Sequence, residues 1–380
     1  MDHAALARKD EMTRNNLTAQ WRNSRPTIRD VAEAAGVSTA TVSNVVRGTC
    51  FVRAERQKKV LDAIETLGYS PNLMAAGLRA RRSRMVGIVV PDITTSFFGS
   101  VVRRIEELAS GSNYQILLAD TQENGERELE RVRALVQRQA DGLILIPCRD
   151  SARTLEDIRK SKIPTVLVDR TVRDSELDIV SADNSAAARE GCRHLISLGH
   201  RKITFLVSDP KLRNITERIQ GYREAMIEAG LSRSISIVVG GMTSDQAHAS
   251  LRRAFRQADR PSAIFAATHV MALGALRAIW ETGCTLPAAI SLLAFDDCEW
   301  MTALRPFLST LRQPIAEMAQ EAWLVLTERI QGHRLERVTR EFPCTLVIRE
   351  STVPPDGRPR REGRRTQRND FTTEAQRARR

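Results

Sequence analysis

The sequence lacks the motifs by which an α/β enzyme is usually recognised. No G-x-G-x-x-G follows an apolar run, and Walker A, G-x-S-x-G and H-E-x-x-H patterns are missing. Its 6 histidines are dispersed and form no catalytic cluster. No apolar run reaches the roughly 20 residues that a transmembrane helix needs. The opening stretch, MDHAALARKDEMTRNN, has no apolar segment, so no secretory signal is expected and the expected location is cytoplasmic. That also counts against an exported, transport-type binding protein. The 6 cysteines, Cys50, Cys148, Cys192, Cys284, Cys298 and Cys344, include no C-x-x-C pair. They read as reduced, structural thiols, and neither a metal nor a cofactor is expected.

What is abundant is positive charge, and its placement says more than its size. The net charge is +12 over 380 residues. Residues 1–84 carry 15 Lys/Arg against 8 Asp/Glu, residues 356–380 carry 9 against 4, and the stretch between carries 34 of each. A neutral body with basic ends suits a chain whose terminal module meets an anionic polymer. Residues 355–380 read more simply as a solvated, disordered basic tail. Residues 1–25, without sustained periodicity, read as a disordered extension. The length predicts two or three domains.

The informative stretch is TIRDVAEAAGVSTATVSNVVRG, from Thr27 to Gly48. Thr27 with Asp30 three residues on forms a helix start of the capping-box kind. Ile28, Val31, Ala32 and Ala35 make one apolar stripe. Gly36 supplies the positive φ that ends a helix, and Ser38 is a good N-cap for the next. Two short helices joined by a glycine turn predict a helix-turn-helix. On the second helix Val42, Val45 and Val46 gather on one side. Thr39, Ala40, Ser43, Asn44 and Arg47 gather on the other, within an arc of about 140°. Small residues, hydrogen-bonding groups and a cation are what a helix needs to lie in a major groove. An ordinary surface helix meets the same description, and the flanks decide between them. Residues 55–67 predict a third helix with Val60, Ala63, Ile64 and Leu67 on one face.

Those flanks, GVSTATVSNVV, then VLDAIETLGYSPN, then MVGIVVPD, resemble the lactose-repressor/galactose-repressor (LacI/GalR) family of bacterial transcription regulators. The resemblance runs from about Thr27 to Pro354. It implies an all-α helix-turn-helix headpiece at 26–70, a hinge at 71–84, and an α/β core at 85–354. That core would consist of two doubly wound, periplasmic-binding-protein-like subdomains, with chain crossings near Asp183, Thr310 and Arg340. It implies DNA contacts from Thr27, Ser38, Thr39, Ala40, Thr41, Ser43, Asn44, Arg47 and Arg56. It also implies a hinge in which Leu78 wedges between base steps while Arg79, Arg81, Arg82 and Arg84 lie near phosphates.

The core agrees by pattern. MVGIVVP, YQILLAD, GLILIP, TVLVDR, ITFLVS, ISIVVG, AIFAAT and SLLAFDD are short apolar runs, and helical patterns cover 101–110, 126–139, 185–198, 218–229 and 271–282. Alternation of this kind predicts parallel sheets covered by helices. Ligands of such sheets sit beyond the C-terminal strand ends. The polar strand ends, Asp120 with Thr121 and Asp169 with Arg170, are therefore candidates. The resemblance adds Phe97 and Phe98 as an aromatic pair over an effector, Arg218 with neighbouring Thr216, and Asp296. An interdomain salt bridge is the alternative role for Arg218 and Asp296. Asp183-Asn184 marks a crossover. Trp300 offers either a stacking face for a sugar or part of the interdomain surface.

Departures from the family pattern matter. Thr268-His269 stands where Asn-Asp is usual, so His269 either binds ligand or caps the following helix, and the cap is preferred. Asn44 replaces the usual arginine, which predicts an altered operator base. Arg53 and Arg56-Gln57 replace a Ser and a Thr-Arg, which removes a helix cap but keeps charge. The expected function is a homodimeric DNA-binding regulator, a repressor in most of the family. A sugar-like effector would bind between the core subdomains, and the partner would be a palindromic double-stranded site, with no membrane partner. An α/β enzyme and a sugar-binding protein without regulatory DNA binding are the rivals. The C-terminal tail lacks leucine heptads, so no tetramerising helix is expected.

Overall fold

The computed structural model describes residues 26–47, 50–69, 82–172, 175–256, 260–334 and 336–355, apart from the side chain of Arg47. The chain divides into two compact units, Met1–Ser83 and Arg84–Arg380.

In the first unit, helices α1 (Ile28–Ala35), α2 (Thr39–Arg47) and α3 (Ala54–Leu67) pack around Val31, Ala32, Ala35, Val42, Val60 and Ala63. Thr27 N and Oγ1 both donate to Asp30 Oδ2, at 2.6 and 2.7 Å, which fixes the start of α1. Gly36 ends it at φ 63°, a conformation that costs a side chain-bearing residue more than glycine. Six buried side chains cover only part of the expected apolar stripe on α2. Val45 is half-buried and Val46 is exposed, which corrects its assignment to the buried side. Helix α3 starts at Arg53 without a side-chain cap, as the replacement of serine predicts.

The second unit contains two six-stranded sheets. The first runs β11-β5-β4-β3-β1-β2, built from β1 (Met85–Val90), β2 (Gln115–Asp120), β3 (Gly142–Leu145), β4 (Thr165–Val168), β5 (Asp178–Ala182) and β11 (Thr339–Phe342). One face carries α4 (Ser96–Gly111) and α11 (Ile315–Gln331), and the other carries α5 (Gly125–Gln137) and α6 (Ala152–Ser161). The second sheet runs β12-β10-β9-β8-β6-β7, from β6 (Ile203–Val207), β7 (Ser236–Val239), β8 (Ala263–Ala266), β9 (Ser291–Phe295), β10 (Ser309–Arg312) and β12 (Thr345–Val347). Helices α7 (Asn184–Ser197) and α8 (Arg213–Glu228) cover one face, and α9 (Ser244–Ala254) and α10 (His269–Glu281) the other. Burial on both faces explains why the central strands read as unbroken apolar runs. Each buried Val, Leu or Ile stabilises by roughly 1.5–3 kcal/mol. Strands β2 and β7 are the exception, because each lies at a sheet edge and exposes apolar residues such as Leu118 and Val239.

All pairings among the described strands are parallel except β10 with β12. The chain passes from one sheet to the other at Asp183, at Gln313-Pro314 and at Pro343-Cys344. Thr310 and Arg340, where crossings were expected, are strand residues paired with Ala294 and Val347 and with Val180, so two crossings lie three residues later. All 6 cysteines are free, and burial pushes the thiols of Cys192, Cys298 and Cys344 up to about 12. No described helix is long and apolar enough to cross a membrane.

Helices α7 and α8 approach so closely at Gly221 that a Cβ there would collide with the Ser185 carbonyl and lie 2.9 Å from the Arg189 amide. Both obstacles are backbone and cannot rotate away. Gly221→Ala is expected to cost about 2–3 kcal/mol, read as a lower urea midpoint with an unchanged slope. A wild-type midpoint would contradict the packing described.

Candidate functional site

On α2, Thr39 and Ala40 are exposed, and Thr41, Ser43 and Asn44 are half-buried. Ser38 Oγ accepts from Thr41 N at 3.2 Å and lies 2.9 Å from Thr41 Oγ1. These two hydroxyls serve the start of the helix, which leaves Thr39, Ser43 and Asn44 as its remaining polar side chains, with Ala40 exposed among them. Arg56 is exposed in the first turn of α3. Leu78, Arg79 and Arg81 lie outside the described residues. Arg84, expected near phosphate, instead places its guanidinium 5.1 Å from the Tyr114 ring centroid, and its amide donates to Asp141 Oδ2.

In the core, the carboxyl ends of both sheets open on one cavity of about 420 Å³. Phe97, Phe98, Asp120, Asp169, Arg170, Arg218, Thr268, His269 and Asp296 all line it. Thr216 and Trp300 do not. The Thr216 hydroxyl donates to the carbonyl of Pro210, in the segment before its helix, and Trp300 borders a neighbouring pocket beside Cys298 and Arg312. Residues that the sequence reading missed also line the cavity, among them Glu123, Asn214 and Gln313.

Two aspartates anchor opposite walls. Asp169 ends β4 and Asp296 ends β9, and both adopt positive φ, 63° and 68°. Aspartate tolerates this conformation better than most residues because its side chain bonds locally. Asp296 Oδ2 accepts from the His269 amide at 3.1 Å and from His269 Nδ1 at 2.8 Å, and Oδ1 accepts from Gln313 Nε2 at 2.7 Å. Burial pushes its pKa up, but the His269 hydrogen bond and charge, with Arg218 and Gln313, hold it at about 2. Asp169 has one bond, from Asn214 Nδ2 at 3.2 Å. Burial dominates there and raises it to about 6 against the opposing pull of Arg218 and Arg170.

Arg218 donates from Nε to Asn184 Oδ1 at 2.8 Å and from Nη1 to the Ala267 carbonyl at 2.6 Å, with its guanidinium 3.9 Å from the Phe295 centroid. No carboxylate pairs with it among the described residues, so the interdomain salt bridge is not what holds it. The crossover residue Asn184 is the group that positions it. Arg170 is paired with Glu123 at 2.7 Å and donates to the Pro147 carbonyl, which makes it a fixed part of the wall. Thr268, not His269, caps α10, accepting from the Met271 amide, while His269 holds Asp296. Three buried polar atoms of lining residues have no partner: Asp169 Oδ1, Arg218 Nη2 and Gln313 Oε1. Buried polar atoms left unpaired are costly, so such a cluster marks a place for a hydrogen-bonding guest.

Comparison with known proteins agrees with this arrangement. Residues 27–72 match the family described as bacterial regulatory proteins, lacI family, and residues 192–352 match the periplasmic binding protein-like domain. The chain is 32% identical to catabolite control protein A of Priestia megaterium, over 86% of this chain and 99% of that protein. It is 33% identical to the HTH-type transcriptional regulator DegA of Bacillus subtilis, over 87% and 99%. Among solved structures, the lac repressor dimer bound to operator and an anti-inducer aligns with a TM-score of 0.79 at 25% identity, over 87% of this chain and all of that one. A complex of the transcriptional regulator CelR with cellobiose aligns at 0.66 and 29%, over 86% and 100%.

The contrast between the aspartates generates a pH prediction. Asp169 titrates near 6 in the folded chain, whereas an unfolded aspartate titrates at about 3.9. Its ionisation therefore opposes folding: the penalty is absent below about pH 4, grows as pH rises, and is complete above about pH 6. Asp169→Asn is expected to be more stable than wild type at pH 8, by at most about 3 kcal/mol, and close to it at pH 4. Urea unfolding at the two pH values checks this, and a variant less stable than wild type at pH 8 would sink it.

Proposed function

The chain belongs to the lacI family of bacterial regulatory proteins, and from that premise we propose that it is a sequence-specific DNA-binding repressor controlled by a sugar-like effector held in the core cleft. The observation that carries this is one chain holding both an outward row of short polar residues on the second helix of a helix-turn-helix and a cleft with unpartnered buried polar atoms. Thr39 and Ala40 permit close approach of α2 to a major groove, and Ser43 and Asn44 supply hydrogen bonds to base edges. Asn44 suits adenine, where an arginine would suit guanine. The first-turn amides of α2 suit phosphate, and Thr27, Arg47 and Arg56 are assigned to the same DNA interface. Leu78 and Arg79 are assigned to a hinge that meets the minor groove.

The operator complex of the lac repressor dimer supports a twofold homodimer on a palindromic site. The cellobiose complex of CelR supports a sugar in the cleft. The corresponding division of this chain is a headpiece at 26–70, a hinge at 71–84, a core at 85–354 and a basic tail. An effector changes DNA affinity only through its differential affinity for two relative positions of the core subdomains.

Selection from random duplexes, with and without a metabolite panel, is expected to yield a palindrome whose binding weakens steeply with salt. Asn44→Ala should lower affinity for that site by about 5- to 100-fold while leaving nonspecific binding unchanged. Recovery of no palindrome under either condition would overturn the reading.

A further inference from the structure

We propose that the cleft takes an uncharged polyhydroxyl compound and rejects its phosphorylated and carboxylated derivatives, with Asp169 as the residue that enforces the choice. The inference rests on the effector reading above and narrows it by charge.

The first ground is the balance of hydrogen-bonding groups. Two of the three unpartnered buried atoms, Asp169 Oδ1 and Gln313 Oε1, are acceptors, and Arg218 Nη2 is a donor. A hydroxyl both donates and accepts, so a polyol can meet all three. A carboxylate or ionised phosphate group has only acceptors to offer, so it can meet Arg218 but neither buried acceptor, and any part of the cluster it occupies is lost to a hydroxyl.

The second ground is charge. Asp92, Asp120, Glu123, Asp169 and Asp296 line the cavity against Arg170 and Arg218. Glu123 is used by Arg170, which removes one charge of each sign. Asp92 Oδ1 accepts from the Thr94 amide and hydroxyl, and Asp120 Oδ1 from the Gln122 amide, so both turn charge toward the same loops. Asp296 already accepts hydrogen bonds from His269 and Gln313. The Arg218 charge remains, shared between Asp169 and Asp296 without contact to either. An anion entering beside Arg218 therefore meets an excess of carboxylates in a site of low dielectric. Asp169 is decisive because its second oxygen is free. It is 3% exposed, and its other bond comes from Asn214 across the cleft. A ligand hydroxyl donating to Oδ1 would be bound by the ionised form, so affinity should rise with pH through about 6.

The test uses the full chain and matched pairs: ribose with ribose 5-phosphate, glucose with glucose 6-phosphate, and galactose with galacturonate. Calorimetric titration at pH 8 is expected to show at least tenfold tighter binding of a neutral sugar than of its acidic partner. Asp169→Asn, with its fold verified by the unfolding midpoint, should narrow that gap to under threefold, and Asp169→Ser should do the same. An acidic partner that binds as tightly as the neutral sugar overturns the proposal. A panel in which nothing binds overturns it too. A gap unchanged in both variants removes the role given to Asp169. A palindrome selected while the panel fails leaves the DNA-binding reading standing, so the two failures are distinguishable.

Discussion

The core is arranged about the carboxylate of Asp296. A buried charge without partners costs several kcal/mol, and only short, well-aligned donors make it tolerable. Here the end of β9 sets the carboxylate at positive φ, and three donors come from two places: the first residue of α10 gives an amide and an imidazole nitrogen, and Gln313 gives its side-chain amide. The N-terminus of α10 adds the positive end of a helix dipole. Gln313 immediately precedes Pro314, where the chain passes to α11 and the first sheet. The same carboxylate therefore holds the cleft wall and one crossing segment in register. Any rotation of one subdomain against the other must lengthen or preserve that 2.7 Å bond, which gives a cleft ligand a physical lever on subdomain position.

Asp169 occupies the matching strand end in the first sheet and differs in what surrounds it. Equivalent backbone geometry with one donor instead of three leaves desolvation in control, which is why the two aspartates titrate about four units apart on opposite sides of the ordinary value. The single donor, Asn214, belongs to α8 and hence to the other subdomain. Arg149 and Asp209 bridge the same two subdomains at 2.9 Å, with the arginine side chain exposed to solvent, which weakens the pair. Two polar contacts, Asn214 to Asp169 and Arg149 to Asp209, thus span the cleft.

Much of the fold was legible because a strand buried on both faces cannot hide its composition. All eight expected apolar runs are strands. Four strands were missed: β5, β10 and β11 are short and carry Asp178, Ser309, Arg312, Arg340 or Glu341, and β12 is only three residues long. Edge position explains β11 and β12, and the crossings explain why strands of this kind lie far from their sheet neighbours in sequence. Helices α4 and α8 begin five residues before their expected starts, which is how Asn214 escaped notice. Gln313 escaped because STLR does not read as a strand, so its position at a strand end was invisible. Glu123 sits in a left-handed turn for which no sequence signal exists. Arg218 and Asp296 were found through resemblance, and their partners could not be, since each partner is distant in the chain.

The replacement of Asn-Asp by Thr268-His269 shows how a departure from pattern can conserve a wall while changing its chemistry. Thr268 takes over the cap of α10 through its hydroxyl, and this frees His269 from that task. The imidazole then uses Nδ1 to hold Asp296, and Nε2 has no partner among the described residues. A residue pair that in the family offers short polar groups to a ligand here spends its polar groups on the helix and the aspartate. The hydrogen-bonding capacity that remains for a guest has moved to Asp169, Arg218 and Gln313, on three different elements. Selectivity assembled from three elements depends on their relative placement. A ligand that bridged all three residues would therefore span both subdomains, and its fit would depend on how they are placed.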